Sequence, residues 1–392
     1  MKIIADVNIP FVAQCFSSIG AVEVVRGREI KPSVVADADI LLVRSVTRVD
    51  SGLLAGSKTR FVATATIGFE HVDVDFLRDK GIGFASAPGS NANSVAEYIV
   101  AALLTIGKKH NIYLGGKSIG IVGVGNVGSR VEKKARALGM SVYLNDPPLH
   151  RKTGDAKYLP LEELFKCDFI TLHTPLTFEG IDRTFHLADE RFFKSLKKGC
   201  TFINTSRGDV VDTAALKGAI KSGKLGAVVL DVWENEPNID TELLEMVDIG
   251  TPHIAGYSLD GKIVGTIMIY KAVCEYFGVK AKFEIGTFLP EADVRELKVN
   301  PNIGSEQDIL RETVERIYSI SGDDLRLRGI LGMPTNKRGS FFDGLRKNYP
   351  VRREFQNTQI VTATDDTGRK LKSGVKAITE KLAGIGFKMS DE

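Results

Sequence analysis

Residues 118–138 constrain the fold more than any other stretch of the chain. Ser118–Val122 is an apolar run suited to a buried strand. It breaks into Gly123-Val124-Gly125-Asn126-Val127-Gly128 and resumes as a basic amphipathic run, Ser129–Leu138. The glycines have separate uses: one for a tight turn, one for close approach of backbone to a pyrophosphate, one for helix–strand packing. The free N–H groups and positive dipole end of the following helix suit the same phosphates. A G-x-G-x-x-G alone is weak, but the next expected strand, Ser141–Asn145, leads into Asp146, eighteen positions past Gly128. A carboxylate there accepts both ribose hydroxyls of an adenosine and repels a 2′-phosphate, which points to NAD rather than NADP.

The surrounding pattern fits a parallel sheet. Before this motif, strands are expected at Lys2–Asp6, Val22–Val25, Ile40–Val43 and Phe61–Ala65, with a helix at Pro10–Ser18 and a long one at Ser94–Lys109. After it, strands are expected at Phe169–His173, Thr201–Asn204, Ala227–Leu230 and Val247–Thr251, then a helix-prone segment from Tyr257 to Tyr276. Short apolar strands alternating with helices give doubly wound sheets. Beyond Gly286 the alternation fades into an α+β unit with a helix near Glu306–Ser319 and a strand near Gln359–Ala363; Met333–Ser340 reads as a loop. At 392 residues, two or three domains are expected. The net charge of +3 gives no reason to expect nucleic acid or a membrane surface as partner. Cys15, Cys167, Cys200 and Cys274 are too dispersed for a metal site or a disulfide framework, so reduced, packed thiols are expected and no metal. No signal peptide or spanning run is read, which suggests a cytoplasmic protein.

Three later strands end in polar groups. Phe202–Asn204 leads into Thr205-Ser206-Arg207-Gly208, Val228–Leu230 into Asp231-Val-Trp-Glu-Asn-Glu236-Pro237, and Asp248–Thr251 into Pro252-His253-Ile-Ala-Gly256-Tyr257. Ligands bind outside the carboxyl ends of such strands, so Arg207, Asp231, Glu236 and His253 are expected to converge. Oxidising a 2-hydroxy acid needs a planar cation for the carboxylate, a base for the hydroxyl proton, and a carboxylate to orient that base. Arg207, His253 and Glu236 fit in that order. Each alone has a plainer reading, as a surface arginine, a structural histidine and a turn residue. Their joint occurrence favours chemistry. His173 is a rival base, and Thr174 beside it is assigned to the cofactor.

These motifs resemble the D-isomer-specific 2-hydroxyacid dehydrogenases, from residue 1 to about 280. A narrower likeness, to members acting on a phosphorylated acid, rests on Leu144-Asn-Asp146-Pro147-Pro148, on His253 to Lys262 and on Leu345-Arg346-Lys347-Asn348-Tyr349. The resemblance implies two Rossmann-like domains flanking a cleft, 1–92 with 256–284 and 93–255, plus a C-terminal dimerisation domain, 285–392, and hence a homodimer. It assigns Arg207, Glu236 and His253 to catalysis. Gly123, Gly125, Asn126, Val127, Gly128, Asp146, Thr174, Ser206, Asp231 and Gly256 fall to NAD, and Ser45, Thr66 and Tyr257 to a small anionic phosphorylated 2-hydroxy acid. A phosphate needs further cations. Arg44 is one candidate, and the cluster Lys337, Arg338, Arg346, Lys347, Arg352 and Arg353 offers Arg346 or Lys347, although a solvated or dimer-facing charge patch is the plainer reading. Other members, of D-3-phosphoglycerate or hydroxypyruvate reductase type, and NAD-sensing corepressors of the same fold, are the competing readings.

Overall fold

The computed structural model describes residues 1–299, 304–362 and 373–390, and the chain divides into two compact units, Met1–Ala92 with Ser258–Glu291, and Asn93–Tyr257 with Ala292–Glu392. In the first, strands β1 (Lys2–Asp6), β2 (Ala21–Val25), β3 (Ile40–Val43), β4 (Phe61–Thr64) and β5 (Gly83–Ala85) form one parallel sheet in the order β2-β1-β3-β4-β5. Ile3, Ile4, Ile40, Leu41, Leu42, Val43 and Val62 are fully buried, as expected of strands covered on both faces. The Leu259–Tyr276 helix, capped by Ser258, packs Ile263, Ile267, Tyr270 and Val273 into the same core as Ile3, Phe16 and Phe61. Strand β5 was not expected: three residues, one a glycine, carry too little pattern.

The second unit repeats the design. Strands β6 (Ser118–Val122), β7 (Ser141–Asn145), β8 (Phe169–Leu172), β9 (Cys200–Asn204), β10 (Leu225–Leu230) and β11 (Ile249–Gly250) run parallel in the order β11-β10-β9-β8-β6-β7. Chain order reverses at β6, so the glycine-rich turn after it sits at the switch point where such sheets bind ligands. Both sheets agree with the expected doubly wound α/β class.

The C-terminal segment is richer than its sequence pattern suggested. Strands β12 (Glu296–Val299), β13 (Gln359–Thr362) and β14 (Lys388–Met389) make a small parallel sheet, accompanied by helices Glu306–Ile317, Ile320–Arg328, Thr335–Lys347 and Ser373–Ile385. Ala363, the expected end of β13, lies outside the described residues. Met333–Ser340 is not a loop: Pro334 occupies the N-cap of the Thr335–Lys347 helix. Gly339 and Gly344 obscured the signal, while Phe341, Phe342 and Leu345 form the buried face that holds this helix against Trp233, Leu243 and Leu244.

This module and the nucleotide-binding sheet share one hydrophobic core. Ile99, Leu103, Val131 and Leu138 pack in the same cluster as Ile309, Leu310, Val314, Leu382, Ile385 and Phe387. A buried polar network joins them as well. Arg352 donates to the carbonyls of Ser94 at 2.6 Å and Ala255 at 3.2 Å, Ser94 Oγ donates to Glu354 Oε1 at 2.6 Å, and Phe355 N donates to Glu97 Oε1 at 2.9 Å. Burial, only partly offset by Lys134, pushes Glu97 up to about 8. All four cysteines are buried and free. Among the described residues no helix is long and apolar enough to cross a membrane.

Candidate active site

The site is built on three adjacent strands. After β9, Asn204 shapes the turn: its Oδ1 accepts from Ser206 N at 3.0 Å and Ser206 Oγ at 2.8 Å, and its Nδ2 donates to Arg207 O at 2.9 Å. Gly208 follows because nothing larger fits. A Cβ there would lie 2.0 Å from the carbonyl carbon and oxygen of Trp233. The turn bearing Arg207 is thus seated directly on the segment that leads to Glu236.

After β10, Glu236 is half-buried and engaged through both carboxylate oxygens. Oε1 accepts from Trp233 N at 2.9 Å, and Oε2 lies 2.8 Å from His253 Nδ1. Burial raises its pKa, but the charge and hydrogen bond of His253, the Trp233 amide and the charge of Arg346 outweigh that and hold it below the ordinary value. It is an ionised carboxylate bound to one ring nitrogen. That contact leaves Nε2 as the nitrogen able to exchange a proton with a ligand.

After β11, the chain turns sharply at His253, whose φ of 56° is in the left-handed region. The turn is held by Asp231, the residue just after β10. Its backbone oxygen accepts from His253 N at 2.7 Å; its carboxylate accepts from Ile254 N at 2.8 Å, Ala255 N at 2.9 Å and Thr251 Oγ1 at 2.6 Å. Trp233 Nε1 adds a bond to Thr251 O at 2.9 Å. Asp231 is therefore chiefly the brace of the histidine turn. Three of its roughly four acceptor positions are filled, leaving one on Oδ2. Sequence reasoning missed this bracing role because it depends on amides distant in the chain.

The expected cofactor residues cluster at the β6 end. Gly123 has φ of 87°, and a Cβ there would lie 2.7 Å from His173 O. At Gly128 a Cβ would lie 2.0 Å from Gly123 O, whereas at Gly125 it would meet nothing within 4 Å. The space beside Gly125 is thus open, in front of the Asn126–Ala137 helix. Asp146 accepts from Val124 N at 2.8 Å and Leu149 N at 2.9 Å, which fixes its carboxylate at the end of β7 with lone pairs to spare. Thr174 Oγ1 is buried without a hydrogen-bond partner among the described residues. An orphaned hydroxyl, an open cradle and an aimed carboxylate all fit a dinucleotide.

His173 does not fit its rival role. Its ring lies 3.1 Å from Thr171 Oγ1 and 3.2 Å from Thr205 Oγ1, and burial pushes it down to about 3. An imidazole so reluctant to protonate is a poor proton acceptor. The basic C-terminal cluster is not one solvated face either. Arg352 is buried, Arg338 bonds Thr241 Oγ1 at 2.9 Å, and Lys337 and Lys347 are exposed. Arg346 alone of the six stands at the site, its guanidinium carbon 5.8 Å from the centre of the Tyr257 ring.

Ser45, Thr66 and Arg44 belong to the first unit. Ser45 is exposed just past β3. Thr66 Oγ1 donates to Gly68 O at 2.8 Å and lies 2.6 Å from Thr64 Oγ1, which in turn meets His71 Nε2 at 3.1 Å. Burial, assisted by the charge of Arg44, draws Lys262 down to about 8.

Comparison with known proteins agrees with this geometry. Residues 105–255 match the D-isomer specific 2-hydroxyacid dehydrogenase NAD-binding domain, and residues 288–373 match a domain of unknown function, DUF3410. The erythronate-4-phosphate dehydrogenase of Proteus mirabilis is 43% identical over 372 residues, 95% of this chain and 97% of that one. That of Hahella chejuensis is 41% identical over the full length of both. Among solved structures, the TT0316 protein of Thermus thermophilus superposes with a TM-score of 0.63 at 26% identity, covering 72% of this chain and 98% of its own. The D-lactate dehydrogenase of Aquifex aeolicus, solved with NAD and lactic acid, gives 0.59 at 27%, covering 71% and 96%. The chain belongs to the erythronate-4-phosphate dehydrogenase family, within the NAD-binding D-isomer specific 2-hydroxyacid dehydrogenases.

Proposed function

We propose that this protein oxidises 4-phospho-D-erythronate at C2 to 2-oxo-3-hydroxy-4-phosphobutanoate with NAD, a step of pyridoxine biosynthesis. The observation that carries the reading is the 2.8 Å contact between His253 Nδ1 and Glu236 Oε2, on a chain that matches its relatives from end to end. His253 Nε2 takes the C2 hydroxyl proton. Glu236 fixes the tautomer that makes this possible and stabilises the imidazolium that results. Arg207 holds the substrate carboxylate in a fork of parallel hydrogen bonds and draws charge toward the forming carbonyl. NAD, when bound, supplies the acceptor for the hydride leaving C2. Gly123, Gly125, Asn126, Val127 and Gly128 receive its pyrophosphate, and Asp146 the adenosine ribose. Thr174, Ser206, Gly256 and the remaining lone pair of Asp231 complete its contacts.

Ser45, Thr66, Tyr257 and Arg44 are assigned to the substrate. Homodimerisation through the C-terminal module and a cytoplasmic location complete the proposal. The test is NADH formation measured with 4-phosphoerythronate, 3-phosphoglycerate and D-glycerate in parallel. Preference for the first by at least tenfold in kcat/KM is expected; equal or greater activity with either of the others overturns the substrate assignment.

A further inference from the structure

We infer that the C-terminal module, whose residues 288–373 match a domain of unknown function, supplies the anchor for the substrate's phosphate through Arg346. The inference rests on the reading just given, that the substrate is a phosphorylated 2-hydroxy acid. Arg346 lies in the last turn of the Thr335–Lys347 helix. Its guanidinium carbon stands 5.8 Å from the Tyr257 ring centre, and Tyr257 is only four residues from His253. Its charge acts on Glu236, the partner of His253. The arginine therefore belongs to the same site as the proton-transfer pair, and to the same polypeptide.

Two features suit it to an anion, the first of them shared with Arg311 and Arg352, which lie away from the proton-transfer pair. Its Nε is buried and has no hydrogen-bond acceptor among the described residues. A buried N–H left unmatched is costly, and an anion arriving from outside would satisfy it. Nε and one terminal nitrogen together present the two parallel donors that a phosphate accepts best. Tyr257, which shares a hydrogen bond with the guanidinium, then Glu236 and Asp343 contribute to its field, so a purely internal pairing is the outcome to be excluded.

The placement of Arg346 is prepared rather than incidental. Phe342 is fully buried and Leu345 packs beside it against the nucleotide-binding sheet. Arg338 bonds Thr241 Oγ1, and at the end of the preceding Ile320–Arg328 helix Arg328 donates to Leu244 O at 3.0 Å and Val247 O at 2.9 Å. The helix is thereby fixed before any ligand arrives, which spares the cost of ordering it on binding. The Aquifex aeolicus D-lactate dehydrogenase is covered almost whole by 71% of this chain, leaving more than a quarter of it outside the match. Erythronate-4-phosphate dehydrogenases align over 92–100%. The additional length is a mark of that group and not of phosphorylated substrates as such, since a 3-phosphoglycerate dehydrogenase of Entamoeba histolytica is likewise covered to 98% by 72% of this chain.

The test compares wild type with Arg346→Gln and Arg346→Lys. Each is given 4-phosphoerythronate and unphosphorylated D-erythronate, with NADH binding as the check on folding. For Arg346→Gln, the ratio of kcat/KM for phosphorylated over unphosphorylated acid should fall at least tenfold, mainly through KM, with partial recovery in Arg346→Lys. Inorganic phosphate, titrated calorimetrically into the NADH-bound protein, should bind wild type and not Arg346→Gln. An unchanged ratio with unchanged phosphate binding overturns the inference while leaving the dehydrogenase reading intact. Equal losses on both acids would do so too, showing that Arg346 only positions Glu236 or Tyr257. Should wild type oxidise no phosphorylated acid, the substrate reading fails, and the phosphate titration still decides whether Arg346 holds an anion.

Discussion

The site turns on a division of labour between two carboxylates. Glu236 touches the histidine ring and tunes it; Asp231 touches the backbone around the ring and aims it. Replacing His253 by Gln should lower kcat by about 10²–10⁴-fold, the usual worth of a positioned acid–base group. Glu236→Gln preserves the shape and can still accept from Trp233, so it should reduce kcat by about 10²-fold with NADH affinity near wild type, checked by steady-state rates and fluorescence titration. His173 gives a prediction of a different kind. Its folded pKa is about 3 against an ordinary 6.5, so between those values the unfolded chain binds a proton that the folded chain refuses. Its contribution to stability is present above pH 6.5 and is lost as pH falls toward 3. Thermal midpoints measured from pH 7 down to 4 should therefore fall less steeply in His173→Asn than in wild type; parallel slopes would rule this out. At this scale the sequence was informative where a residue's placement follows from its own chemistry and its strand end, as for the pairing of Glu236 with His253. It was silent where the role is set by distant amides, as for Asp231, or by burial, as for His173. A second close pair, His186 Nε2 with Glu234 Oε1 at 2.7 Å, shows why residue types alone do not single out a dyad.

At the scale of elements, strands with unbroken apolar runs were legible almost to the residue, because a buried parallel strand has to look that way. β1, β3, β6 and β7 occupy the residues their pattern marks. The failures share a cause: glycine or brevity diluted the pattern, as in β5, in the two-residue β11 and in the Thr335–Lys347 helix. The same residue that hides an element can be indispensable to it. At Gly208 even a methyl group would occupy the place of Trp233's backbone. Gly208→Ala should force the Arg207 turn away from the Glu236 segment. The expected result is a loss of about 1–3 kcal/mol in stability, typical of overpacking, with kcat/KM reduced more than NADH affinity. Denaturant titration and steady-state kinetics on one preparation would check both.

For the whole molecule, the informative fact is that one apolar cluster runs from the nucleotide-binding sheet into the C-terminal module. A chain ended at residue 291 would uncover Ile99, Leu103 and Leu138 and leave Glu97 without the Phe355 amide. Such a truncation is expected to yield insoluble protein or a partly unfolded NAD-binding half, with a broadened thermal transition; a soluble, NADH-binding fragment would contradict it. Arg352→Met, which keeps bulk and removes the charge beneath Ser94 and Ala255, should lower the thermal midpoint without abolishing NADH binding. Little of this could be read beforehand, since Arg352 stood in a basic run that looked solvated and proved to be interior.

The shared cluster also bears on how such a protein can be re-engineered. A segment that lends an arginine to its neighbour's chemistry invites transplantation into shorter dehydrogenases, as a ready means of teaching them phosphorylated acids. Yet Glu97, Lys134 and the apolar positions beneath them are the receiving half of the joint, and they lie in the host. A graft that moved only the donor's terminal hundred residues would set a fitted plug against a wall never cut to take it, so host and insert have to be exchanged together.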